Sequence, residues 1–227
     1  MSSVKDSEAD VGSSASRLRI TEIFHSLQGE SRTSGYTTVF IRLTGCPLRC
    51  EYCDTTYAFK GGEWFSFEEI LKEVKKHNVK YITVTGGEPL AQNRCVNLLK
   101  LLCDKGYEVS LETSGALDIS KVDPRVSRVM DLKTPASKEE AKNLYSNIEL
   151  LTSHDQIKFV ICDRNDYDWA VDKIKEYDLL NRCEVIFSTS HEQLKPRQLA
   201  DWIIEDELGV RFQMQLHKYL WYDEPGR

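Results

Sequence analysis

Thr37-Thr38-Val39-Phe40-Ile41-Arg42-Leu43-Thr44-Gly45-Cys46-Pro47-Leu48-Arg49-Cys50-Glu51-Tyr52-Cys53 is the stretch on which the fold turns. Its first seven residues are β-branched and aromatic and lie between Gly35 and Gly45, as a strand requires. A cysteine-rich loop begins where that strand ends. Downstream, Ser66 and Glu69 form a capping box, and Phe67, Ile70, Leu71 and Val74 recur at helical spacing to about His77. Residues 79–84 read as the next strand, closing a strand-helix-strand unit.

The alternation continues along the chain. Strand-like runs fall at residues 107–111, 126–132, 156–161, 184–187 and 210–216, with helical patterns at 90–105, 138–151, 166–177 and 196–208. Gly106 suits the end of one helix; Pro196 and Gly209 bracket the last. Strands alternating with amphipathic helices predict a mostly parallel α/β sheet, since a parallel neighbour is reached only by a crossover. Periodicity leaves a partial barrel and an open doubly wound sheet equally open. Either architecture gathers ligands at the C-terminal strand ends, where residues 45–55, 85–89, 112–115, 133–137 and 188–191 fall.

A chain of 227 residues with 41% hydrophobic and 29% charged residues is an ordinary globular composition of one-domain size. The net charge of -6 disfavours a nucleic-acid partner. No apolar run is long enough for a membrane span. Residues 1–17, rich in Ser, Asp and Glu, read as a disordered tail without a secretory pattern, so the expectation is a cytoplasmic protein with one domain over residues 18–227.

Of seven cysteines, three lie at Cys46, Cys50 and Cys53, while Cys95, Cys103, Cys162 and Cys183 are scattered in apolar surroundings and read as small buried residues. The C-x3-C-x2-C spacing offers three thiolates on one loop, suited to an iron-sulfur cluster or zinc. A structural zinc site normally closes with four protein ligands, and no second knuckle or paired His is present. Three thiolates on a four-iron cluster leave one iron open for a substrate or cofactor. His77 and His154 read as surface residues, Trp169 and Trp202 as core, and Glu205-Asp206-Glu207 as a solvated helix end.

The triplet with Tyr52 before its last cysteine resembles the signature of the radical S-adenosylmethionine (SAM) superfamily, and Thr85-Gly86-Gly87-Glu88-Pro89 resembles its GGEP element. Five further segments resemble one family, the 7-carboxy-7-deazaguanine synthases: residues 22–30, 40–46, 53–55, 112–115 and 215–219, so that the likeness runs from about Ile20 to Trp221. The resemblance implies a partial, open β/α barrel of the radical SAM type. It also implies a 4Fe-4S cluster on Cys46, Cys50 and Cys53, with SAM chelating the fourth iron and cleaved reductively to a 5′-deoxyadenosyl radical. The substrate implied is 6-carboxy-5,6,7,8-tetrahydropterin, a small molecule that contracts its ring and loses ammonia to give 7-carboxy-7-deazaguanine, while SAM is regenerated.

Carried over by position, SAM contacts would come from Tyr52, Cys53, Asp54, Gly86, Gly87, Glu88, Asp131, Leu132, Lys133 and Ser188. Pterin contacts would come from Leu27, Gln28, Gly29, Glu30, Arg42, Thr85, Glu112 and His217, with Arg42 offering a bidentate fork to a carboxylate. Magnesium would sit on Thr55. A reductant such as flavodoxin or ferredoxin and a homodimer are also implied. The chain departs from relatives at residues 131–135, where some have Ser-Pro-Lys, and at residues 187–191. Two other readings keep the triplet: an activating enzyme that makes a glycyl radical on a partner protein, and a non-enzymatic iron-sulfur or zinc module. The Leu27-Gln28-Gly29-Glu30 and Gln215-Leu216-His217-Lys218 segments favour the synthase.

Overall fold

The computed structural model describes residues 16–191, 193–222, 224 and 226. Nine strands form one sheet in the order β3-β1-β2-β4-β5-β6-β7-β8-β9. They are β1 (Arg17–Leu27), β2 (Thr37–Leu43), β3 (Glu63–Ser66), β4 (Tyr81–Gly86), β5 (Glu108–Thr113), β6 (Ser127–Asp131), β7 (Gln156–Ile161), β8 (Glu184–Thr189) and β9 (Arg211–Gln213). From β2 to β9 every pairing is parallel; β1 runs antiparallel to both β2 and β3. The sheet is open, with β3 and β9 at its edges, as the expected open barrel requires.

The helices follow the residues that specify them. In α1 (Phe67–Val74) the capping box is present: Ser66 Oγ accepts from Glu69 N at 3.2 Å and Glu69 Oε2 accepts from Ser66 N at 2.7 Å. α2 (Cys95–Asp104) buries Cys95, Leu98, Leu99 and Leu102, one stripe of a 3.6-residue period, and Gly106 just beyond it takes φ +86°. α3 (Arg164–Glu176) is capped by Asp163, α4 (Leu179–Arg182) is one turn, and α5 (Pro196–Glu205) starts on its proline. The core lies between these helices and the sheet, around Val39, Ile41, Ile82, Val84, Leu111, Ile157, Phe159 and Phe187. Among the described residues no helix is long and apolar enough to cross a membrane.

Four expectations change. Residues 138–151 are not an α-helix but short 3-10 turns at Glu140–Lys142 and Tyr145–Leu150, after one at Pro135–Ser137. Two asparagines explain this. The Asn143 side chain bonds both N and O of Lys133, and the Asn147 amide bonds the carbonyls of Gly115 and Leu117, so side chains compete with the helical ladder. The expected helix over 90–105 begins with a 3-10 turn at Pro89–Ala91 and is α-helical only in α2.

At the N-terminus, Ser16 and Arg17, expected in the tail, join the ladder with α1's entry and β3, while residues 1–15 lie outside the described residues. The expected strand over 210–216 is short because Gln213 turns its amide to Ser31, accepting from Ser31 N at 2.6 Å and donating to Ser31 O at 2.9 Å. The chain then forms α6 (Leu216–Trp221).

Candidate active site

One cleft of about 560 Å³ opens over the C-terminal ends of the parallel strands, within the usual size of a small-molecule site. Cys46, Cys50 and Cys53 all line it, and the other four cysteines do not. Their loop is held from two sides. Gly86 and Gly87 pass so close to β2 that a Cβ on Gly86 would stand 2.5 Å from Leu43 O, and one on Gly87 2.5 Å from Gly45 O and 2.7 Å from Cys46 Cβ. The glycines therefore serve contact between two loops, bonded through Gly87 N to Leu43 O and Glu88 N to Gly45 O. From the other side Arg49 Nη1 donates to the carbonyls of Cys46 and Leu48 at 2.8 and 2.6 Å, its guanidinium 4.3 Å from the Phe59 ring. Burial pushes the Cys46 thiol up and the Cys50 thiol up to about 11, a cost that iron coordination would reverse by taking the thiolate.

Beside the cysteines lie Tyr52, Asp131 and Lys133. Lys133 Nζ bonds Asp131 Oδ2 at 2.9 Å and stands 5.8 Å from the Tyr52 ring. Tyr52 Oη and Asp131 Oδ1 are buried without any hydrogen-bond partner. Buried polar atoms rarely stay unpaired, so two of them on one cleft wall mark where a polar ligand completes the site. Across the cleft Gln28 Nε2 reaches Thr83 Oγ1 at 3.0 Å and Glu112 Oε1 at 3.4 Å, and Thr85 Oγ1 donates to Glu112 Oε2 at 3.0 Å. His217 packs on Gly29, where a Cβ would meet its Nδ1 at 2.5 Å. Arg42 Nε donates to Glu22 Oε1 at 2.6 Å, with Phe24 and Tyr57 rings within 6 Å of its guanidinium carbon, at 5.8 and 5.9 Å.

The charges divide unevenly. Burial, then the neighbouring Glu30 carboxylate, push Glu112 above the ordinary carboxylate range. Burial also presses Glu30 upward, but the charge and hydrogen bond of Lys158 outweigh it and hold Glu30 low. Asp54 behaves likewise: Lys218, 3.1 Å away, overcomes burial and lowers it. Burial lowers His217.

Residues 40–177 match the model of the radical SAM superfamily. The chain is 42% identical over 207 residues to 7-carboxy-7-deazaguanine synthase of Chlorobaculum tepidum, covering 90% of this chain and 94% of the relative. It is 42% identical over 222 residues to the protein of the same name from Koribacter versatilis, covering 91% and 98%. The chain belongs to the 7-carboxy-7-deazaguanine synthase family. The crystal structure of QueE from Escherichia coli superposes with a TM-score of 0.74 over 88% of this chain and 95% of that one, at 22% identity, which speaks to the shared fold.

Membership in this radical SAM family carries a 4Fe-4S cluster and SAM, and the residues present fit them. Three thiols on one loop face one cleft, with the unpartnered Tyr52 and Asp131 atoms beside them. Among the described residues no group of three His, Cys, Asp or Glu side chains is arranged around a single metal ion; a cluster that takes one thiolate per iron asks for a wider spread.

Most synthase residues expected from sequence line this cleft: Leu27, Gln28, Gly29, Glu30, Arg42, Tyr52, Asp54, Thr55, Thr85, Gly86, Gly87, Glu112, Asp131, Lys133 and His217. Three do not. Glu88 is fully buried, accepting from Leu90 N, Thr113 Oγ1, Ser114 N and Ser114 Oγ, so it braces the loop after β5 instead of facing a ligand. Leu132 is a core residue, and Ser188 is buried beside its register partner Val160, which lines the cleft along with Ser190, His191 and Gln193 while Ser188 itself does not. Sequence reading missed Lys158 and gave Gln215 and Lys218 only as members of a family-like segment without a role; all three are cleft residues. Lys158 had a signal: a lone charge between Ile157 and Phe159 on a buried strand.

Proposed function

We propose that this chain converts 6-carboxy-5,6,7,8-tetrahydropterin to 7-carboxy-7-deazaguanine with loss of ammonia. The observation that carries the reading is that the three cysteines share one small cleft with Gln28, Glu30, Arg42, Glu112 and His217. A cleft of molecular size favours a pterin over a segment of a partner protein. Bound there, the cluster and SAM supply reductive radical chemistry able to take a hydrogen atom from the substrate.

The chain's own residues supply the rest. Arg42, anchored through Nε to Glu22, keeps its terminal nitrogens for the substrate carboxylate. Gln28 and the two carboxylates suit the amide and amino edge of a pterin. Glu112, which holds its proton to higher pH than an ordinary glutamate, is placed to keep a proton available for departing ammonia. Thr55 Oγ1 donates to Asp54 Oδ1 at 2.8 Å, which leaves its lone pairs for a hard cation, and we assign magnesium there. A flavodoxin- or ferredoxin-type reductant, a homodimer and a cytoplasmic setting complete the proposal.

The test is anaerobic reconstitution with iron and sulfide, then addition of SAM, reductant, magnesium and the carboxytetrahydropterin. The expected result is a deazapurine product with ammonia release, both dependent on SAM. Formation of 5′-deoxyadenosine with no deazapurine would leave the superfamily chemistry and remove this substrate.

A further inference from the structure

The cleft holds an ion pair that joins its two halves. Lys158 lies on β7, paired in register with Asp131 of β6. Its Nζ is 2.6 Å from Glu30 Oε2 and 4.0 Å from Asp131 Oδ2, with the Lys158 and Glu30 side chains each 11% exposed. On one side Glu30 N donates to Gln28 Oε1 at 3.1 Å and Gln28 Nε2 reaches Glu112 Oε1 at 3.4 Å; on the other Asp131 accepts from Lys133 Nζ at 2.9 Å, which stands 5.8 Å from the ring of Tyr52 in the cysteine loop. A buried ion pair is poor evidence of stability, because desolvation consumes much of the attraction. Its fixed geometry is the more telling property, since bound reactants depend on sub-ångström placement.

We propose that Lys158 is a positioning residue: its ammonium pins Glu30 against the substrate while lying beside Asp131 on the cofactor side, and so sets the distance between the two bound molecules. This rests on the pterin reading of the cleft. Burial works against the lysine charge, but Glu30, Asp131 and Glu112 together keep it protonated well above the ordinary range, so the pin persists throughout the neutral range. Without it, Glu30 is a buried carboxylate lacking its counter-charge and draws water or a proton. SAM still reaches the cluster, but the substrate no longer sits where its hydrogen is taken.

The readout is the ratio of deazapurine to 5′-deoxyadenosine, measured for Lys158→Met, Lys158→Gln and Lys158→Arg holoenzymes beside wild type. A residue that merely holds the fold together lowers both products in proportion. A positioning residue lowers the ratio. We expect a fall of roughly 10- to 100-fold for Lys158→Met and Lys158→Gln, partial recovery in Lys158→Arg, and an unchanged response of the reduced cluster's electron paramagnetic resonance signal to SAM. Adding Glu30→Gln to Lys158→Met should cost little more than either change alone, as expected for residues acting as one unit. A wild-type ratio in cluster-bearing Lys158→Met overturns the proposal. So does failure of both Lys158→Met and Lys158→Gln to accumulate with cluster, which makes Lys158 a structural residue. If wild type itself yields 5′-deoxyadenosine but no deazapurine, the pterin reading fails, and the inference fails with it for that separate reason.

Discussion

Adding one methyl group at Gly87 should impair loading of the cluster site without unfolding the protein. In Gly87→Ala the new Cβ would lie 2.5 Å from Gly45 O and 2.7 Å from Cys46 Cβ, where ordinary contact begins at 3.4 Å. Both obstacles belong to backbone or to the root of a cysteine ligand, so neither can swing aside as the tip of a flexible chain could. Relief requires the Gly45–Cys46 segment to retreat by about 0.9 Å, beyond the roughly 0.5 Å within which a functional constellation must be held. Overpacking of this kind costs about 1–3 kcal/mol, a fall in Tm of roughly 2–12 °C for a chain of this size, within the reserve of a typical domain. Iron and sulfide content after anaerobic reconstitution, with a thermal melt, is the assay; we expect less than about half the wild-type iron per chain. Gly209→Ala is the control, since its Cβ would meet only Leu180 Cδ1 at 3.6 Å. Wild-type iron content and Tm in Gly87→Ala would refute the reasoning.

Asp155 is fully buried and accepts from Arg128 N, Nε and Nη2 and from Thr152 N and Oγ1; Asp155→Ala should cost about 3–5 kcal/mol in chemical denaturation by stranding the Arg128 charge. Its carboxyl is held below the ordinary value because Arg128 outweighs burial. The contribution to stability is therefore complete above the unfolded pKa, roughly 3.9, and fades as pH falls through the lower folded value, so wild type should lose stability below about pH 4 more steeply than Asp155→Ala. Arg42→Lys should raise KM for the carboxytetrahydropterin about tenfold, the worth of one charge-assisted hydrogen bond, with SAM cleavage retained; an unchanged KM removes Arg42 from the carboxylate site. Thr55→Ala should keep iron content while weakening the magnesium response of turnover, and an unaltered magnesium titration would free Thr55 of that role.

What the sequence made legible was whatever depends on local chemistry. The capping box at Ser66 and Glu69 and the buried run of β7 are each written within a few residues, and each is found where expected. The cysteine triplet is legible for the same reason: its ligands share one loop. β1 was missed although Arg17-Leu18-Arg19-Ile20 alternates exposed and buried, because its charged start continues the composition of the polar stretch before it. The failed helix over 138–151 needed knowledge of distant carbonyls at Gly115, Leu117 and Lys133, which no local pattern carries. Glu88 differs again: its residue type suits an ammonium ligand, while in the structure its buried carboxylate accepts hydrogen bonds from Thr113 and Ser114, which no local pattern announces.

The positions that join these levels form a polar row across the sheet. Arg42 on β2 pairs with Thr85 on β4, Thr85 bonds Glu112 on β5, and Asp131 on β6 pairs with Lys158 on β7. Parallel strands covered on both faces normally run as continuous apolar segments. Here five neighbouring strands each place a polar residue in one row lining the cleft, and on β8 the row stops at apolar Ile186 beside Lys158. Desolvating such charges opposes folding even when they are paired, so packing gives no reason for them to gather on one wall. A requirement that does explain the gathering is a bound molecule with both a carboxylate and a hydrogen-bonding edge, in a cleft where two further buried atoms, Tyr52 Oη and Asp131 Oδ1, stand without partners. The row thus reads as the sheet's adaptation to its ligands, and the apolar strand halves beneath it as what lets the fold tolerate that adaptation.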